Sequence, residues 1–91
     1  MSAILIIRAN VVSYDKWRTA YDESYSFRVE HGVREEKVFC SPSDMTSVLV
    51  LHYFDSVEAA SAYIADPALI KATKERGVIG AAHLTITSVV E

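Results

Sequence analysis

Residues 3–12 form an apolar run whose only polar interruptions are Arg8 and Asn10. A run of this length, dominated by Ile and Val, predicts a strand buried on both faces. Ser13 then serves as an N-cap, and Asp15 lies where the positive end of a helix dipole favours a carboxylate. Trp17, Ala20, Tyr21 and Ser24 recur at helical spacing, and Phe27, Arg28 and His31 continue the stripe. The pattern predicts one helix over 14–31, with Gly32 as its terminator.

Residues 33–40 alternate and are heavily charged, with Arg34, Glu35, Glu36 and Lys37 preceding Val38 and Phe39. Charge of this kind marks an edge strand, because it discourages pairing with other chains. Ser41, Pro42, Ser43 and Asp44 predict a turn, and 46–54 predicts a strand whose centre, Val48 to Leu51, is apolar on both faces. Asp55 with Glu58 has the spacing of a capping box, opening a short helix over 57–65. Asp66 and Pro67 restart a helix that Arg76 and Gly77 end. A loop over 78–82 leads to an alternating, edge-like strand over 83–90.

The resulting order is βαββαβ, an α+β fold. Right-handed crossovers make it a four-stranded antiparallel sheet in the order 4-1-3-2, with both helices on one face. The composition agrees, because the two strands apolar on both sides fall in the centre and the charged or alternating ones at the edges. Two helices cover one face only, yet Ile4 and Ile6 oppose Leu5 and Ile7, and Val48 and Val50 oppose Leu49 and Leu51. The bare face would expose an apolar patch that monomers rarely tolerate. Stacking it on an identical sheet through a twofold axis is the economical solution, and predicts a homodimer. At about 25 cal/mol per Å² of buried apolar surface, losing that interface would unfold the subunit.

Ninety-one residues, 1–91, make one domain, and 51% hydrophobic with 23% charged residues is ordinary globular usage. Twelve acidic against nine basic residues argue against a nucleic-acid surface. No segment is long and apolar enough for a membrane span, and the opening residues lack the pattern of a signal peptide, so a cytoplasmic protein is expected. Cys40 is the single cysteine, which removes an intrachain disulfide and a cysteine metal framework.

His31, His52 and His83 fall in three elements without ligand spacing, so no metal site is expected. Neither a phosphate loop nor a nucleophile elbow is present, and nothing in the sequence activates Cys40. What remains is a pocket between sheet and helices. Ala59, Ala60, Ala62 and Ala65 of the predicted helix over 57–65 either leave such a space or pack tightly on the sheet. His52 shares a strand face with Val48, Val50 and Phe54, so burial should keep it neutral, as a general base or as a satisfied core histidine. Arg8 and Asn10 share a face of the first strand and are candidates to hold an oxyanion. Arg28 lies among apolar rings. It either contacts an anionic ligand or forms an ion pair with Asp22, Glu30 or Glu58. Trp17, Tyr21 and Tyr63 are candidate pocket walls or core residues.

Residues 11–17 resemble the dimeric α/β-barrel superfamily, the group of antibiotic-biosynthesis monooxygenase-like proteins. So do Tyr21-Asp22, Arg28 before His31-Gly32-Val33, and residues 66–69 leading to Gly77-Val78-Ile79-Gly80. The resemblance implies a ferredoxin-like subunit that dimerises into an α/β barrel. It also implies binding of a small hydrophobic or aromatic metabolite, with oxygenation, cyclisation or isomerisation needing no cofactor. Haem-degrading members use a tryptophan and an axial histidine where this chain has Tyr63 and Ala72-Thr73-Lys74, which disfavours that activity here. The expected set is His52 as base, Arg8 and Asn10 on the anion side, and Tyr21, Tyr63, Trp17 and Arg28 around the substrate. The rival reading is a non-catalytic dimeric module whose cavity is filled by its own aromatics.

Overall fold

The computed structural model describes residues 2–90. Its strands are β1 (Ala3–Val11), β2 (Glu35–Ser41), β3 (Asp44–Phe54) and β4 (Val78–Ser88). Between β1 and β2 run α1 (Tyr14–Glu23) and α2 (Tyr25–Glu30); between β3 and β4 run α3 (Val57–Ala65) and α4 (Pro67–Glu75). The sheet is antiparallel throughout, in the order β2-β3-β1-β4, which is the expected order read from the other edge. Among the described residues no helix is long and apolar enough to cross a membrane.

Strand alternation sorts the aliphatic side chains between the two faces. Ala3, Leu5 and Val11 of β1 and Val48, Val50, His52 and Phe54 of β3 are buried under the helices. One core cluster joins Leu5 and Phe54 to Ala60, Tyr63 and Leu69, and a second joins Val11, Val48 and Val50 to Trp17 and Tyr21. Ile4, Ile6, Arg8 and Asn10 take the opposite face beside their cross-strand partners Tyr53, Leu51, Leu49 and Ser47. Phe39 and Ile79 flank this open face and are 46% and 55% exposed.

Local chemistry sets the ends of the elements. Ser13 caps α1 through Lys16 N, and Asp66 caps α4 through Ala68 N with Pro67 behind it. Gly32 and Gly77 follow their helices with φ of +97° and +80°, as expected of left-handed terminators. Three expectations change. The helix over 14–31 is broken at Ser24, whose hydroxyl donates to the carbonyls of Ala20 and Tyr21 and so competes with the backbone ladder. Ser56, not Asp55, caps α3 by accepting from Ala59 N; Asp55 is drawn instead to Arg34, 2.9 Å away. Residues 78–82 are not a loop but the start of β4. Between Arg8↔His83 and Asn10↔Ile79, β1 advances by two residues and β4 by four, and the bulge contains Gly80 at φ +69°.

Candidate functional site

The β4 bulge has a consequence for the layer beneath the helices. Gly80, Ala81 and Ala82 put almost no side-chain volume against α4, and a cavity of about 280 Å³ opens there. Its apolar wall includes Leu5, Ile7, Val48 and Val50 from the sheet and Leu69 and Ile70 from α4. The alanines of α3 do something else. Ala60 is fully buried in the core cluster and brings α3 close to the sheet, while Tyr63, one turn on, reaches the cavity.

The structure brings four of the expected residues together: Trp17 and Tyr21 from α1, His52 from β3 and Tyr63 from α3 all line this cavity. Trp17 stacks on Tyr21 with ring centres 5.0 Å apart, and Tyr63 meets His52 edge-on at 5.8 Å. These rings form walls and leave the space open, while Phe54 lies in the core beside Tyr63. Arg8 and Asn10 are not brought to His52. They lie on the opposite sheet face, where with His83 they line a second hollow of about 320 Å³. His31 lies at the end of α2, stacked on Phe27 and bonded to Asp66, so the three histidines occupy separate places.

Arg28 is 1% exposed and does not touch the cavity. Its partner is none of Asp22, Glu30 or Glu58. Two of its nitrogens, Nε and Nη2, donate to Glu36, and Nη1 donates to Tyr21 O and Ser24 Oγ. Glu36 reaches the helix side because it stands directly opposite His52 in the β2–β3 register. Arg28 also lies over the Tyr21 ring, with Cζ 3.6 Å from its centre. Burial works against ionisation of Glu36, but hydrogen bonds from Arg28 and Tyr21 and the guanidinium charge outweigh it and hold its pKa below the usual carboxylate range.

Tyr21 Oη contacts Glu36 Oε2 at 3.2 Å and His52 Nε2 at 2.8 Å. A carboxylate only accepts, so Tyr21 must spend its one proton on Glu36. Both contacts are then satisfied only if His52 carries its proton on Nε2 and donates it to Tyr21 Oη. His52 Nδ1 is left as a lone pair, buried and without a partner among the described residues; Tyr63 Oη is likewise unpartnered. Burial, reinforced by Arg28 and Arg76, lowers the His52 pKa to about 4, so the imidazole is neutral at neutral pH. Burial raises Tyr63 to about 12 and Tyr21 further still, and both remain phenols. The arrangement is a neutral imidazole on the wall of an aromatic, largely apolar cavity, held in one tautomer by an ion pair behind it and chemically able to accept a proton at Nδ1.

Two contributors escaped the sequence reading. Glu36 sits in a run of edge-strand charge, and the signal for it was its odd–even position opposite His52. Arg76 in the sequence marks only the end of a helix. It is the C-cap of α4, yet it lines the cavity and donates to Ser24 Oγ at 2.6 Å.

No protein-family model matches the chain, and no curated protein matches it. Solved structures do. SnoaB, a cofactor-independent oxygenase from Streptomyces nogalater, superposes with a TM-score of 0.80 at 8% identity, covering 99% of this chain and 94% of its own. An antibiotic biosynthesis monooxygenase-like protein from Bordetella bronchiseptica gives 0.83 at 7% identity, covering 99% and 98%. One from Chloroflexus aurantiacus gives 0.67 at 18% identity, covering 100% and 97%. Over nearly its whole length, the chain has the ferredoxin-like fold of the antibiotic biosynthesis monooxygenase-like proteins.

Proposed function

We propose that the chain binds a small phenol or enol in the cavity and uses His52 Nδ1 to remove a proton from it, with no bound metal or flavin. The observation that carries this reading is the neutral His52, a residue of the cavity wall whose one free lone pair is buried and unpartnered, with Tyr63 edge-on to its ring. Trp17, Tyr21 and Tyr63 flank a planar ring, and Tyr63 Oη is an available donor for the oxygen on which negative charge develops. Arg28 acts through Glu36 and Tyr21 to hold the imidazole, as a positioning residue.

The likeness to SnoaB, described as a cofactor-independent oxygenase, supports oxygenation as the outcome. The O–H proton of the phenol or enol passes to His52, the carbon of the resulting enolate gives its electrons to O2, and a C–O bond forms. Protonation and loss of one water leave a carbonyl, so each turnover consumes one O2. Cyclisation or isomerisation would begin with the same proton transfer and consume none.

A second copy of the chain completes the reading. Ile4, Ile6, Leu49 and Leu51, with exposed Phe39 and Ile79, form an apolar face that a homodimer would cover. Arg8, Asn10 and His83 would then lie at that interface rather than in the cavity beside His52.

Anthrone offers a direct test, since its acidic CH2 becomes a carbonyl when one O2 is consumed and one water released. Quinone formation accompanied by equal O2 uptake is expected, and folded His52→Gln should be slower by about 100-fold or more. Equal rates for the two proteins would remove His52 from the chemistry. Deuterium exchange at the CH2 without O2 uptake would move the reaction to the isomerase or cyclase class.

A further inference from the structure

The charges around the cavity do not balance. Arg28 and Arg76 both donate to the same hydroxyl, Ser24 Oγ, at 3.0 and 2.6 Å. Glu36 answers Arg28. Among the described residues Arg76 pairs with no carboxylate. His52 and both tyrosines are neutral here, so two guanidiniums face one carboxylate and a positive charge is left over at the cavity wall. Lys74 adds a second cation at the same end, and among the described residues no Asp or Glu lines the cavity. That inventory runs against the whole chain, whose net charge is −3. Burial and the neighbouring Arg28 lower the Arg76 pKa, as expected for a cation short of a counter-ion.

Resting on the reading of the cavity as a ligand site, we propose that its ligand is an aromatic anion, with a carboxylate or equivalent acid group held by Arg76 and the ring between Trp17, Tyr63 and His52. A guanidinium grips a carboxylate through two parallel N–H donors, and Arg76 has nitrogens to spare beyond its bond to Ser24. Apart from Thr73 and Lys74 the remaining wall is apolar, and about 280 Å³ limits the ring system to a small one. Arg76 is therefore the specificity-determining residue. Neutralising it would also ease one of the two cationic fields that depress His52, making the base stronger once the acid group has docked.

Calorimetric titration of the whole chain with three probes tests this: 1-hydroxy-2-naphthoate, its neutral carboxamide, and 1-naphthol. The hydroxynaphthoate should bind at least tenfold more tightly than the carboxamide. Arg76→Gln should erase that preference while leaving 1-naphthol affinity within about twofold, and Arg76→Lys should retain part of it. Should Arg76→Gln fail to fold, the wild-type ranking and Arg76→Lys still decide the matter. Equal affinity for acid and amide in the wild type, or an unchanged preference in either variant, overturns the anion assignment but leaves the cavity reading standing. If none of the three probes binds, the cavity reading falls with it.

Discussion

Tyr21 Oη stands 2.8 Å from His52 Nε2 while also touching the carboxylate that Arg28 holds, and this one distance fixes the tautomer of the buried imidazole. A histidine on a central strand has ordinary reasons to be neutral. What Tyr21 adds is direction: Nε2 is occupied and Nδ1 is left for something else.

The depressed pKa of His52 makes stability depend on pH. Its folded value of about 4 lies below the ordinary 6.5, so the unfolded chain binds a proton that the folded one refuses in that interval. The contribution is complete above pH 6.5 and is lost as pH falls toward 4. Between pH 7.5 and 5 the loss should be about 2 kcal/mol, at 1.36 kcal/mol per pKa unit. Urea denaturation at fixed protein concentration measures it. His52→Gln should flatten the slope across this window, whereas Glu36, whose pKa is lowered from a carboxylate value, acts only at lower pH.

Breaking the ion pair from one side should cost more than removing it whole. Glu36→Gln strands a guanidinium that is 1% exposed, at a loss of about 3 kcal/mol. Arg28→Met with Glu36→Leu should lose less than the sum of the two single variants, because the double variant leaves no charge behind whereas each single one does. Additive losses in chemical denaturation would mean that the pair is solvated and does not anchor Tyr21.

The open sheet face supplies a test of assembly. Leu51 lies directly opposite Ile6 on that face, whereas Val50 points into the core. Leu51→Asp and Ile6→Asp should each abolish the folded dimer in sedimentation equilibrium and leave unfolded chain, since the subunit loses its second apolar layer. A folded, monodisperse monomer in both variants would contradict the dimer.

Much of this architecture is legible in the sequence because it depends on periodicity and caps. Two strands apolar on both sides had to be central, and Ser13, Gly32, Asp66 and Gly77 mark the helix boundaries locally. Most of the misses share a different cause, a contact distant along the chain. Ser24 is the local exception: its hydroxyl bonds to the carbonyls of Ala20 and Tyr21, although Arg76, 52 residues away, also reaches it. Gly80, Ala81 and Ala82 read as a loop because a bulged strand lacks the alternation of a flat one, yet these small residues open the cavity. His52, Tyr21, Tyr63 and Trp17 are found together because their spacing fixes their faces. Arg8 and Asn10 share a strand with inward-facing Leu5 and Val11, but at the other parity, and only register against β3 assigns the sides.

The most direct measurement is the imidazole nitrogen NMR spectrum of His52 in the 15N-labelled protein at neutral pH, with and without 1-hydroxy-2-naphthoate. The account predicts a neutral ring protonated on Nε2, with an Nδ1 resonance in the unprotonated range that moves upfield when the ligand phenol donates to it. A proton on Nδ1, or an Nδ1 resonance unmoved by saturating ligand, would contradict the assignment of His52 as the proton acceptor of this cavity.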